Sequence, residues 1–90
     1  MNKEIEFSAH ALLKIEILRS HGFNLSKEDV EKVLRDPDIL DIGYKGRLIA
    51  QRVFDESHVL RVIYEERAGK IYVITIYPGR RSRYEKNKIQ

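Results

Sequence analysis

Cysteine is absent from the chain, which excludes a disulfide framework, a thiolate zinc site and a cysteine nucleophile. Long apolar runs are absent as well. The N-terminal residues MNKEIEFSAH lack the apolar core of a signal peptide, and no stretch approaches the roughly 18 apolar residues of a membrane span. We therefore expect a cytoplasmic protein with no membrane partner.

Motifs for metal binding and for serine hydrolysis are also missing. The histidines are distant in sequence, without a His-x-x-x-His spacing, and no Gly-x-Ser-x-Gly segment occurs. Gly43 and Gly46 are spaced as turn glycines and do not open a helix, so we do not expect them to hold phosphate. The sequence predicts neither a metal nor another cofactor.

What the chain does have is positive charge concentrated at one end. Its 90 residues, 42% hydrophobic and 34% charged, predict a single globular domain over residues 1–90. The net charge is +3, yet residues 80–90 alone hold five cations and one acid, a local charge of +4. This basic tail contains tyrosine and suits a polyanion, because guanidinium groups bind phosphate bidentately and phenol rings stack on bases.

The first half of the chain predicts two helices. Ser8 is a candidate N-cap for a helix over residues 9–21, which Gly22 ends. The apolar residues of this helix lie at helical spacing and predict a broad buried stripe. They are Ala11, Leu13, Ile15, Ile17 and Leu18.

A capping-box pattern, Ser26 followed by Asp29, opens the second helix over residues 27–35, and the residue before Pro37 ends it. Six acids against two cations lie between residues 28 and 41. Because this stretch would repel phosphate, a polyanion is expected on the opposite side of the molecule.

The second half predicts strands joined by short connections, which imply antiparallel neighbours. The strands are expected over residues 39–42, 48–54, 58–64 and 71–77. The fold class is therefore α+β, with the two N-terminal helices on one face of a three- to four-stranded twisted antiparallel sheet.

Alternation along the last strand predicts which side chains face the helices. Residues Ile74 and Ile76 share the more uniformly apolar side and are assigned to the core. Thr75 and Tyr77 are then assigned to the uncovered side, which they share with Val73.

The charged side chains outside the tail have simple structural interpretations. His21 is expected to complement the end of the first helix, and His58 to be a solvated turn residue. Arg61 lies between Leu60 and Val62 in a strand, so it must reach solvent or find a partner. An ion pair with a helix carboxylate and a role in binding remain open alternatives.

Two stretches in order carry a family resemblance: FSAHALLKIEILRSHGFNLSKEDVEKVLRDPD and HVLRVIYEERAGKIYVITIYPGRRSRYE. The chain resembles domain-of-unknown-function family 4258 over nearly its whole length, and more distantly the BrnT-like and RelE/ParE-like toxins of toxin-antitoxin pairs. The resemblance rests on the Ser-x-His-Ala helix opening, the helix-Gly-loop-helix-Asp-Pro order, the Leu-Arg-Val strand and the Arg-x-Arg-Tyr tail.

The resemblance implies a RelE-like fold and a metal-independent ribonuclease that uses the RNA 2′-hydroxyl as nucleophile. The cleavage needs a base, a cation and an acid. The resemblance places His10, Arg61, Thr75, Tyr77, Arg81 and Tyr84 at positions where these families keep a histidine or polar and basic residues. With the needs of the chemistry, the predicted catalytic residues are His10, Arg61, Arg81 and Tyr84. The predicted RNA-binding residues are Lys14, Thr75, Tyr77, Arg80 and Arg83, of which Lys14 lies on the same flank of the first helix as His10 and the two arginines belong to the basic tail. Where BrnT-like toxins have Ser-Ala-Arg, this chain has Thr75, Ile76 and Tyr77.

Three functions follow as alternatives. The leading prediction is a toxin-type endoribonuclease that cleaves mRNA, free or on the ribosome, with a cognate antitoxin as its protein partner. The second is a non-catalytic module of the same fold that binds RNA or a protein, and the third is an antitoxin-neutralised inhibitor of another target. A homodimer is included among the predicted assemblies.

Overall fold

A computed structural model of the chain describes residues 3–82. Within this range the chain forms two helices and five strands, joined by short turns. Their bounds are β1 (Ile5–Phe7), α1 (Ala9–Ser20), α2 (Lys27–Arg35), β2 (Ile39–Ile42), β3 (Leu48–Val53), β4 (His58–Arg67) and β5 (Lys70–Arg80). Neither helix in this part of the chain is long and apolar enough to cross a membrane.

The described strands form one mixed sheet in the order β1-β5-β4-β3-β2. The pairs among β2, β3, β4 and β5 are antiparallel, whereas β1 runs parallel to β5 at the edge. The α+β class is confirmed, and the four strands expected after the helices are antiparallel neighbours. The prediction of three to four antiparallel strands is not exact, because β1 adds a fifth strand in parallel. β1 has only three residues and its partner lies more than sixty residues further along the chain, so nothing local in the sequence indicates their pairing.

Both helices pack on the same face of the sheet, where they close the hydrophobic core. α1 lies on β5 and β1, and α2 lies on β3 and β4. We call the opposite side of the sheet the open face. The core residues are Ala11, Ile15, Leu18, Leu25, Val30, Val33, Leu34, Ala50, Leu60, Val62, Tyr64, Val73 and Ile76.

The helix boundaries follow from the predicted caps. Ser26 Oγ accepts from the Asp29 backbone N–H, and the Asp29 carboxylate accepts from the Ser26 N–H, so α2 begins where the pattern predicts. α1 ends one residue before the prediction, at Ser20, and Gly22 follows with a φ of +95° that favours glycine.

β4 and β5 are longer than predicted because their connection is shorter. Arg67 pairs with Lys70, so only Ala68 and Gly69 form the turn, both with positive φ. Residues 66, 67 and 70, expected in the connection, therefore extend the hairpin.

A bulge in β5 changes the assignment of its side chains. Ile63 pairs with Thr75 and Tyr64 pairs with Val73, which leaves Ile74 as an extra residue. Val73 and Ile76 are both fully buried against the helices, whereas Ile74 is half-buried outside the core cluster. The prediction of Ile74 in the core is therefore wrong, and Val73 takes its place.

Ser8 connects α1 to the bulge. Its hydroxyl accepts from the Ala11 N–H at 3.0 Å and donates to the Ile74 carbonyl at 2.9 Å, while its own N–H donates to the Val73 carbonyl at 3.0 Å. The helix cap thus also satisfies a carbonyl group of the residue that the bulge displaces from the ladder.

We expect Ser8→Ala to lower the free energy of unfolding by about 1–2 kcal/mol, because it removes a helix cap and leaves a half-buried carbonyl without its donor. Ser20→Ala is the matched control, since Ser20 lies exposed at the other end of α1 and donates only to the Ile17 carbonyl. Its effect should stay within about 0.5 kcal/mol. Urea unfolding of both variants measures the difference, and equal effects would contradict the anchoring role of Ser8.

Candidate nucleic-acid interface

A row of three polar side chains crosses the middle of the open face. The register places Gln51, Arg61 and Tyr77 side by side on β3, β4 and β5. Arg61 Nε donates to Gln51 Oε1 at 2.8 Å, and the guanidinium carbon lies 5.8 Å from the centre of the Tyr77 ring. Because Arg61 faces away from both helices, an ion pair with a helix carboxylate is excluded.

A second cluster of cations and aromatics lies further along the same face. Glu65 accepts from Arg67 Nε at 2.7 Å and from Arg47 Nε at 3.2 Å, and it pairs across the strands with Tyr72. The Arg67 guanidinium carbon lies 4.3 Å from the centre of the Tyr72 ring. Sequence reasoning missed Arg47, Arg67 and Tyr72, because their shared side depends on the bulge and on the true length of the hairpin.

The open face carries arginines, aromatic rings and an apolar middle, together with the acids Glu6, Asp41 and Glu65. Three arginines and two tyrosines surround Ile49 and Ile63, which pair in the row between the two clusters, and Thr75 continues that row on β5. α2, which covers the other side of the sheet, has three acids and three cations and is neutral overall. The arginines of the open face are groups that bind phosphate, and its tyrosines are groups that stack on bases.

The predicted histidine of the first helix reaches the margin of this face. His10 lies in the first turn of α1, and its Nε2 is 3.1 Å from Thr75 Oγ1. Lys14 follows one turn later and is half-buried. The structure thus brings His10 and Thr75 together, and places both close to the row that contains Arg61 and Tyr77.

Arg80 and Arg81, the tail arginines within the described residues, lie apart from this group. Arg80 pairs with His58, and the register places both on the helix-covered side, three residues beyond Tyr77 and on the opposite face. Alternation along β5 therefore separates Arg80 from Tyr77, and the RNA-binding role of Arg80 stays a prediction. The Arg81 N–H donates to the Ser57 carbonyl at 2.9 Å, and its Nη1 lies 3.4 Å from the Asp55 carbonyl. The predictions for Arg83 and Tyr84 lie outside the described residues.

A cleft of about 510 Å³ opens at the same end of the sheet, on the helix side. We call it the histidine cleft. His58 Nδ1 lies 3.0 Å from Asp55 Oδ1, and its ring meets the Phe23 ring edge-on at 4.8 Å between centres. His58 is therefore a half-buried, oriented side chain and not the solvated turn residue that the sequence indicates. The cleft is lined by His21, Gly22, Phe23, Asn24, Phe54, Asp55 and His58.

Two carboxyl groups in these regions are held in the charged form. The pKa of Glu65 lies below its ordinary value, first because of the hydrogen bond from Arg67 and then because of the one from Arg47. The pKa of Asp55 is also lowered, chiefly by the hydrogen bond from the Ser57 N–H, with further contributions from His58. Burial opposes both shifts but does not overcome them.

Within residues 3–82 no group of three or more histidine or acidic side chains converges as metal ligands would. Comparison with protein-family models, with curated proteins and with solved structures finds no match for this chain. The resemblance to family 4258 and to the toxin families stays a prediction from the sequence motifs.

We expect the arginine contacts of Glu65 to make the free energy of unfolding depend on pH in the acidic range. A carboxyl group whose folded pKa is lowered contributes stability above its unfolded pKa of about 4.3, and this is lost as the pH falls through the folded value. Glu65→Gln should therefore be less stable than the unsubstituted protein at about pH 7, and the gap should narrow at about pH 3. Urea unfolding at both pH values measures the gap. Glu16→Gln, at an exposed position of α1, is the control. The assignment would be contradicted if the stability difference between Glu65→Gln and the unsubstituted protein were the same at both pH values.

Proposed function

We propose that this protein binds single-stranded RNA across the open face and cleaves it without a metal ion, as a toxin-type endoribonuclease of RelE-like fold. The observation that carries the proposal is the set of arginines and tyrosines that lie together on the open face. Its members are Arg47, Arg61, Arg67, Tyr72 and Tyr77.

The two tyrosines support binding of an unpaired strand. Tyr72 and Tyr77 lie on one strand with the bulge between them, roughly 15 Å apart along β5. Each has an arginine beside its ring, so a base that stacks on the phenol places its phosphate near a guanidinium group. Bases paired in a duplex could not offer their faces to either ring.

The ribonuclease reaction itself is proposed from the family resemblance and from the groups close to the bound strand. His10 and Arg61 are the imidazole and the cation that the resemblance assigns to catalysis. Both are already hydrogen-bonded, to Thr75 and to Gln51. That engagement favours the second candidate function, a module that binds RNA on this face without cutting it.

The proposed partner is a cognate antitoxin, acting in the cytoplasm where mRNA is available. β2 lies at the edge of the sheet, and its Leu40 and Ile42 are 54% and 79% exposed. An extended antitoxin segment could add to such an edge by backbone hydrogen bonds, as could a second copy of this chain. Co-purification with the product of a short neighbouring reading frame would support the antitoxin over the homodimer.

We expect the open-face variants to weaken RNA binding. Tyr77→Leu should raise the Kd for a single-stranded RNA by roughly 5- to 150-fold, because a stacking contact contributes about 1–3 kcal/mol. Arg61→Gln should reduce the slope of log K against log salt by about 0.7, since it removes one phosphate contact. Gel retardation over a salt series measures both.

Arg35→Gln is the matched control for charge, because Arg35 lies on α2 and pairs with Glu31 on the other side of the molecule. An equal loss of affinity in this variant would contradict the assignment of the open face. Incubation of the protein with mRNA in EDTA, with and without ribosomes, tests the reaction. Retardation without cleavage would support the non-catalytic module.

A further inference from the structure

The histidine cleft combines two imidazoles with aromatic walls, and none of the residues that line it belongs to the open face. His21 comes from the end of α1, and His58 comes from the start of β4. Phe23 and Phe54 stand with their ring centres 6.5 Å apart. The apolar rings of such a site can hold a nucleobase, and its two imidazoles can exchange protons with the sugar-phosphate backbone of the RNA beside it.

His58 is prepared to accept a proton. The Asp55 carboxylate can only accept hydrogen bonds, so the Nδ1 atom of His58 that faces it carries the proton and a neutral ring keeps its lone pair on Nε2. Asp55 is itself fixed by the backbone N–H groups of Ser57 and His58, each donating to Oδ1 at 2.8 Å. The edge of Phe23 sets the plane of the ring.

His21 is placed to give up a proton. It follows the last residue of α1, and its backbone N–H donates to the carbonyls of Ile17 and Leu18. The carbonyl ends of a helix interact favourably with positive charge, and His21 occupies that end of α1. Its side chain is exposed towards the cleft that His58 also lines.

A positively charged side chain lies on the other side of His58. Arg80 is its cross-strand neighbour, and the two residues line a second, adjoining cleft of about 380 Å³ together with Glu56, Ser57 and Ser82. A phosphate group beside His58 would therefore meet a guanidinium group. Glu56 is the nearby acid that keeps this region from being uniformly basic.

We infer that the histidine cleft is where the RNA is cut, with His58 as the general base, His21 as the general acid and Arg80 as the cation that holds the phosphate. The inference rests on the proposed ribonuclease function and relocates its chemistry from the open face. Arg80 is three residues beyond Tyr77, about 10 Å along β5, so one strand of RNA can reach both regions.

The reaction needs no co-reactant. His58 Nε2 takes the proton of the 2′-hydroxyl as the 2′-oxygen forms a bond to phosphorus, and the bond from phosphorus to the 5′-oxygen breaks. His21 gives its proton to the leaving 5′-oxygen. The products are a 2′,3′-cyclic phosphate and a 5′-hydroxyl, and the two imidazoles return to their starting states by exchange with water.

The experiment compares cleavage of a defined single-stranded RNA in EDTA by the whole protein and its variants. His58→Gln and His21→Gln should each lower the cleavage rate by about 10²- to 10⁴-fold, as expected for loss of acid-base catalysis, while RNA retardation stays unchanged. Added imidazole should restore part of the activity of His58→Gly. Arg35→Gln is the control for cleavage, and circular dichroism checks that each variant is folded.

Asp55 is a positioning residue, because it acts through His58. Asp55→Asn should lower kcat with little change in KM, and Asp55→Glu should recover part of the loss. If Asp55 had only a structural role, its substitution would lower the free energy of unfolding without this selective change in kcat.

Four results would overturn the inference. Full cleavage by both histidine variants, or loss of cleavage in His10→Gln alone, would place the chemistry elsewhere and leave the proposed function standing. Absence of imidazole rescue in a folded, RNA-binding His58→Gly would remove His58 as the base. Absence of any cleavage by the unsubstituted protein would overturn the ribonuclease function and the inference together.

Discussion

The extra residue in β5 determines which side chains of this strand face the helices and which face the open side. With strict alternation, burial of Val73 would turn Thr75 and Tyr77 inward and expose Ile76. The bulge at Ile74 lets Val73 and Ile76 both enter the core, where each is fully buried. Because every later residue keeps the shifted alternation, the same bulge turns Tyr77 towards Arg61 and Arg80 towards His58. Both candidate sites therefore depend on one irregularity of pairing.

The bulge also positions the first helix. The ladder cannot use every polar group of Ile74, and Ser8 donates its hydroxyl hydrogen to the Ile74 carbonyl while capping α1. The start of the helix is thereby fixed against β5, which brings His10 to Thr75. A rigid helix of twelve residues then carries His21 to the far end of the molecule, about 17 Å away, where the turn before β4 delivers His58. Ser8 thus helps to fix the positions of His10 and His21, which lie at the two ends of α1.

Local patterns in the sequence predict the elements, but long-range pairing determines the sites. The caps at Ser8 and Ser26 and the proline at position 37 act within a few residues, so the helices can be predicted closely. β1 and the bulge depend on contacts between distant segments, which no short window contains. The histidine cleft could not be predicted for the same reason, since only the fold brings residues 21 and 58 together. Arg61 could be found because it lies in the middle of its predicted strand, and Tyr77 because it lies beyond the bulge, where the predicted alternation is correct.

The open face and the histidine cleft differ in which side-chain atoms their internal hydrogen bonds leave free to contact RNA. On the open face, Gln51 occupies Arg61 Nε, and Thr75 occupies Nε2 of His10, so these groups are better suited to attract and orient a strand than to exchange protons. In the histidine cleft, Asp55 engages only Nδ1 of His58 and leaves the other ring nitrogen to the substrate. β5 links the two regions, because Tyr77 and Arg80 extend from its opposite faces only three residues apart. RNA that stacks on the open face would pass the end of this strand, where a phosphate group meets Arg80 and the 2′-hydroxyl beside it meets His58.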